Sequence, residues 1–125
     1  MTLTNTSHNW EEDEVENPIG HTNWVLSSLT HELTVLRTVE TADGENAPWK
    51  EFWDNIESAV LVDGVASICD RAFVECWCLT TVLIPMSVTS IGKKAFLHCR
   101  RLKSIAIPDS VEFIGYGAFA DCKFS

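Results

Sequence analysis

Three things are scarce in this sequence. No run of 18 apolar residues occurs, so no membrane-spanning helix is expected, because crossing the hydrocarbon core takes about 20 of them. Basic residues are few: nine Lys and Arg stand against 18 Asp and Glu, for a formal net charge of -9. Nucleic-acid binding needs Lys and Arg clustered against phosphates, so no nucleic-acid partner is expected. The one basic cluster, Arg100, Arg101 and Lys103, reads as a solvated turn. Catalytic signatures are missing as well, with no phosphate loop, zinc spacing or serine elbow. His98 beside Cys99 is the only pairing of a base with a nucleophile, and adjacent residues on one turn point apart. The chain therefore reads as no enzyme, with no cofactor.

What the sequence does hold is a period of 23 residues, from Ile56 to the C-terminus. Phe73, Phe96 and Phe119 keep the step, as do Cys76, Cys99 and Cys122, Ile68, Ile91 and Ile114, and Ala72, Ala95 and Ala118. Such a period predicts a solenoid in which each unit buries its apolar side only when a neighbour stacks on it. The units are 56–78, 79–101 and 102–125. The first departs from the others, with Val62 where they have Pro85 and Pro108, and Cys69 where they have Gly92 and Gly115.

Within a unit, Leu102, Ile105 and Ile107 recur at i, i+3 and i+5, the signature of a leucine-rich repeat strand. Ile105 and Ile107 face inward, and Ser104 and Ala106 face out. Pro108 ends the pairing because it has no amide hydrogen. Val111 and Ile114 predict a second short extended segment, and Gly115 a place where a side chain is unwelcome. The A-F-x-x-C run predicts one helical turn that sends its Phe and Cys inward, with the three Phe rings stacked. Five cysteines are an odd number, so at least one has no intramolecular disulfide partner. Cys76, Cys99 and Cys122 read as a column of reduced, buried thiols. Cys69, Cys76 and Cys78 lack the paired C-x-x-C spacing of zinc sites, and no metal is expected.

Ahead of the repeats the chain changes character. Residues 1–17 carry five acids and no base. Like charges without apolar periodicity predict a disordered acidic tail, in which Trp10 is an incidental ring. Residues 18–55 carry six acids against two bases, and residues 56–125 carry seven of each. In 18–55, Trp24 to Leu26 and Leu33 to Val39 flank a polar centre and predict an antiparallel hairpin. Pro48, Trp49, Phe52 and Trp53 follow, immediately before the first repeat. An end unit of a solenoid must cover the apolar interior, so 18–55 reads as an N-terminal capping segment. The competing reading makes Trp49 and Trp53 an aromatic platform for carbohydrate. The fold class is thus mainly β with short helical turns, a leucine-rich-repeat solenoid of three 23-residue repeats behind a β-hairpin and aromatic cap.

The pattern of Leu79, Ile84, Pro85, Val88, Ile91, Gly92, Ala95, Phe96 and Cys99, repeated 23 positions on, resembles the BspA-like, or Treponema-type, leucine-rich repeat family. The segment from Trp24 to Pro48-Trp49, followed by Ile56 to Val65, is similar to the region that often precedes such repeats. The resemblance implies a bacterial protein, secreted or at the cell surface, that binds proteins or matrix. These 125 residues show no secretory signal, and taken as complete the chain would be cytoplasmic.

The leading expectation is a non-catalytic protein-binding or scaffolding module working through the concave strand face, with an unknown protein partner. Its outward residues are Glu57, Ser58 and Val60, then Thr80, Thr81 and Leu83, then Lys103, Ser104 and Ala106. The alternatives are a carbohydrate- or matrix-binding adhesin fragment and a truncated structural unit without activity of its own. The C-terminal repeat leaves the edge of a strand at Leu102 to Ile107 unpaired, which invites a homodimer.

Overall fold

The computed structural model describes residues 14–16, 23–41 and 45–122. Among the described residues eight short strands, β1 Glu14–Glu16, β2 Trp24–Ser27, β3 Glu32–Val35, β4 Ser58–Leu61, β5 Ser67–Ile68, β6 Thr81–Leu83, β7 Ser90–Ile91 and β8 Phe113–Ile114, and one 3-10 helix, Lys50–Asn55, make up the regular structure. The chain is mainly strand with little helix. A five-stranded sheet has the order β1-β2-β3-β4-β6 and a three-stranded sheet the order β5-β7-β8.

The hairpin forms where alternation predicts it. Trp24 pairs with Val35 and Leu26 with Leu33, antiparallel, so Trp24, Leu26, Leu33 and Val35 all turn inward. At its tip Ser27 Oγ accepts the amides of Leu29 and Thr30 at 3.2 Å, and His31 takes a left-handed φ of 58°. Polar side-chain capping of this kind replaces the glycine that tight turns usually carry. β3 then runs parallel to β4, with Leu33 opposite Ala59 and Val35 opposite Leu61. β4 runs parallel to β6, with Ser58 opposite Thr81, one period on. In the second sheet Ser67, Ser90 and Phe113 lie side by side at the same step.

An aromatic column runs through the core. Phe73 stacks on Phe96 and Phe96 on Phe119, each with centroids 5.3 Å apart and planes within 11°, as the 23-residue step predicts. The column continues into the non-repeating part: Trp49 lies 5.7 Å from Phe73 and Trp24 lies 6.0 Å edge-on to Trp49. Trp49 and Trp53 both donate their indole N–H to the carbonyl of Ala72, at 2.7 and 2.8 Å. Trp49 is 2% exposed, so its ring is closed to a ligand, while Trp53 is partly buried against the core.

Three expectations need correction. The A-F-x-x-C run is not a helical turn. Residues 70–75, 93–98 and 116–121 are successive turns, with left-handed residues at Arg71 and Glu75, Lys94 and His98, and Gly117 and Asp121. Their amides are engaged by the next repeat: Arg71, Phe73 and Glu75 donate to the carbonyls of Lys93, Ala95 and Leu97. A helix would need those amides for its own i-4 bonds. Phe73 and Cys76 still point inward and are buried.

The second correction concerns Leu102 to Ile107, which form no strand. Among the described residues the larger sheet ends at β6. Leu102 is nevertheless fully buried, and Ile105 and Ile107 are partly buried against the core. Burial of the inward side chains holds the segment in place without ladder bonds, and Lys103, Ser104 and Ala106 bring little strand preference. The third lies within the acidic segment: Glu14–Glu16 pair antiparallel with β2. Pairing at the free edge of β2 uses backbone groups and needs no apolar pattern. The rest of 1–17, including Trp10, lies outside the described residues.

Candidate functional site: the exposed face of the larger sheet

Alternation along β2, β3, β4 and β6 buries one face and leaves the other to solvent. The strand register puts Val25, Thr34, Val60 and Leu83 in one row across the sheet. A second row holds Glu32, Ser58 and Thr81. Leu83 is 64% exposed, and Met86, just beyond β6, is equally open.

The acidic side chains of this face are held. Glu57 Oε2 meets His31 Nδ1 at 2.9 Å, and Glu32 Oε2 accepts from Ser58 Oγ at 3.3 Å. Thr80 donates both its amide and its hydroxyl to the carbonyl of Glu57, at 3.0 and 3.2 Å. The face is therefore a preset surface: an apolar row beside carboxylates whose positions are fixed by neighbouring strands. Such an arrangement suits recognition of a partner surface, because little side-chain freedom is lost on contact.

Of the nine residues expected here, Ser58, Val60, Thr81 and Leu83 are brought into register, and Glu57 and Thr80 immediately precede the same strands. Lys103, Ser104 and Ala106 are exposed but lie outside the sheet. Val25, Glu32 and Thr34 share the face without having been expected to. Their alternation was legible, but only the parallel pairing of β3 with β4 aligns them with the repeats.

The pairing of His98 with Cys99 does not come together as a reactive site. Cys99 is fully buried and its thiol donates to the carbonyl of Phe73 at 2.8 Å. His98 Nδ1 instead meets Asp121 Oδ2 at 2.8 Å. Arg100 donates to that oxygen through Nε and Nη2, and its guanidinium lies 5.4 Å from the Trp77 ring centre. Arg100, then His98, hold the Asp121 carboxyl below the usual carboxylate range. Burial pushes the Cys76 thiol strongly up, with the neighbouring Cys99 adding to the effect. All five cysteines are free; Cys69, Cys76 and Cys99 are buried, while Cys78 and Cys122 are partly exposed. Cys122 loses full burial because no repeat packs beyond it among the described residues. Among the described residues no three His, Cys, Asp or Glu side chains converge as a metal site, and no helix is long and apolar enough to cross a membrane.

A leucine-rich repeat protein from Eubacterium ventriosum, known from its crystal structure, is 27% identical with a TM-score of 0.67 over 79% of this chain. The matched part is 27% of that protein, so this chain spans only about a quarter of its length. A leucine-rich repeat protein of T. pallidum is 20% identical over 88% of this chain and 69% of its own, with a TM-score of 0.48. No curated protein matches the chain. The profile of the BspA type leucine-rich repeat region, of 6 copies, matches residues 51–125. With more than half of its length so matched, the chain belongs to the BspA-type leucine-rich repeat family.

Proposed function

We propose that the chain is a non-catalytic protein-binding module that docks its partner on the exposed face of the larger sheet. The observation that carries this reading is the row Val25, Thr34, Val60 and Leu83, apolar at three of four positions and set in register by β2, β3, β4 and β6. The row is open at Leu83 and half-buried at Val25, Thr34 and Val60, and an apolar row that reaches solvent beside held carboxylates supports a contact surface. Glu57, Ser58, Thr80 and Thr81 form its rim, and Lys103, Ser104 and Ala106 extend it beyond β6. The family resemblance supports such binding at a bacterial cell surface or in the secreted fraction.

In this reading residues 56–125 are a solenoid of three repeats and residues 18–55 are its cap. The contact of Trp49 with Phe73 and the two indole bonds to Ala72 support the cap. Deleting residues 18–55 should then expose the core and cause aggregation; a soluble, folded 56–125 fragment would remove the cap from the proposal. For the binding face, a partner isolated from the native source should lose at least tenfold in affinity when Val60 and Leu83 are both changed to Lys. Unaltered binding by that variant, folded as judged by its melting curve, would reject the face.

A second reading is favoured by the exposure of Ile114, 48% against 0% for Ile91 one repeat earlier. Tyr116, on the following turn, is exposed too. The 125-residue chain can bury this flank by two-fold association of C-terminal repeats, which closes without forming a fibre. Light scattering should then report twice the chain mass of 14.0 kDa, and Ile114→Glu should return it to one. A wild type that stays at the single mass at high concentration removes the dimer.

A further inference from the structure

The three-stranded sheet carries a feature that neither the repeat pattern nor the binding face accounts for. A groove of about 320 Å³ runs over its outer side, from the chain at Val39 to Thr41 across to Phe113. Phe113 occupies the position held by Ser67 and Ser90 in the two preceding repeats. Where those are small, its ring is 61% exposed and forms the end wall of the groove. Glu40 and Asp70 both line the space, and among the described residues no Lys, Arg or His does. Asp70 is held in place, since its Oδ1 accepts the amide of Lys93 at 2.8 Å.

We propose that this groove takes the cationic side chain, lysine or arginine, of a partner protein. A cleft lined by one sign of charge focuses the field and concentrates the counter-charge. An anion would be repelled by both carboxylates, and a neutral ligand would strip water from them without replacing it by a charge-assisted bond. An ammonium or guanidinium supplies that bond, and its methylene stem lies against the face of the Phe113 ring, where a cation gains a further attraction. The serines at Ser67 and Ser90 leave the room for the stem that a larger side chain would fill. The groove is on the other sheet from Val60 and Leu83, so this inference stands or falls apart from the binding-face reading.

The test is an amide-resolved NMR titration of the full chain with three blocked peptides, acetyl-Gly-Arg-Gly-amide, acetyl-Gly-Lys-Gly-amide and acetyl-Gly-Gln-Gly-amide. The Arg and Lys peptides should shift the amides of Ser67, Ser90 and Phe113 with millimolar affinity that weakens as salt rises, and the Gln peptide should not. Phe113→Ser installs the residue that the earlier repeats already carry, so the fold is retained; it should weaken binding about threefold, the size of an exposed cation–π contact. Glu40→Gln should weaken it by a similar factor and flatten the salt dependence. The proposal is overturned if the Gln peptide shifts the same amides as strongly, if neither basic peptide shifts them, or if both variants keep the wild-type affinity.

Discussion

The thiol of Cys99 donates to the carbonyl of Phe73, 26 residues earlier, at 2.8 Å, and Cys122 repeats the bond to Phe96 at 3.0 Å. Cys99 is thus a small apolar filler and also the donor that satisfies the Phe73 carbonyl, whereas the Phe96 carbonyl accepts the Cys99 amide at 3.2 Å as well as the Cys122 thiol. Cys99→Ser keeps a donor, whereas Cys99→Val fills the space and leaves the buried Phe73 carbonyl bare. The Val variant should lose about 1 to 3 kcal/mol more than the Ser variant, the cost of an unsatisfied buried group. Urea unfolding of the two variants measures the difference, and equal losses would show that volume alone matters.

The thiols also set an alkaline limit. Burial, the largest influence on each, pushes Cys69 up to about 12 and Cys122 up to about 11 from an ordinary value of 9.0, and it raises Cys76 further. A thiol with a higher pKa in the folded state binds its proton more tightly there than in the unfolded chain. Its contribution is therefore fully present below pH 9 and is lost as pH rises towards 12. Melting temperatures should hold between about pH 7 and pH 8.5 on this account and fall steadily above it, and Cys69→Ala together with Cys76→Ala should flatten that fall. The native protein should react slowly with a thiol reagent at neutral pH until it is unfolded.

Gly92 is required for a reason of space. A Cβ there would lie 2.5 Å from the backbone nitrogen of Asp70 and 2.7 Å from the carbonyl carbon of Cys69. Gly115 meets Lys93 in the same way. Gly92→Ala must push two repeats apart and should cost more than about 3 kcal/mol, in the range of severe core disruption. At Gly64, where φ is +108° but no atom lies within 4 Å, Ala should cost about 1 to 2 kcal/mol from backbone strain alone. Thermal or denaturant unfolding of the pair would reverse the explanation if Gly64→Ala proved the worse.

Trp24 and Trp49, both buried, differ in what they hold. Trp49 Nε1 donates to Ala72, while Trp24 Nε1 is buried without an acceptor among the described residues. Trp24→Phe removes an unsatisfied donor along with some volume and should cost about 1 kcal/mol or less; Trp49→Phe loses a bond and a ring contact at once and should cost about 2 to 3 kcal/mol. The order of the two melting temperatures decides it.

Much of this molecule is local in origin, because in a stack of repeats each unit touches only its neighbours. The 23-residue step alone determined that Phe73, Phe96 and Phe119 stack, that Ile68 and Ile91 face inward, and that Gly92 and Gly115 lie where a side chain is unwelcome. Alternation in Trp24 to Leu26 and Leu33 to Val35 determined the hairpin. The sequence is silent where partners are not related by the period. Parallel pairing of Leu33 with Ala59, which carries Val25, Glu32 and Thr34 onto the candidate face, joins a hairpin to a repeat and has no signature in either. Leu102, Ile105 and Ile107 have the spacing of a strand, yet no strand forms there, because a strand is a property of two segments and side-chain spacing reports only one. The turns at Arg71 to Glu75 were legible as places where Phe and Cys face inward, but not as non-helical. That was decided by the carbonyls of Lys93, Ala95 and Leu97, which reach those amides only once the next repeat has stacked.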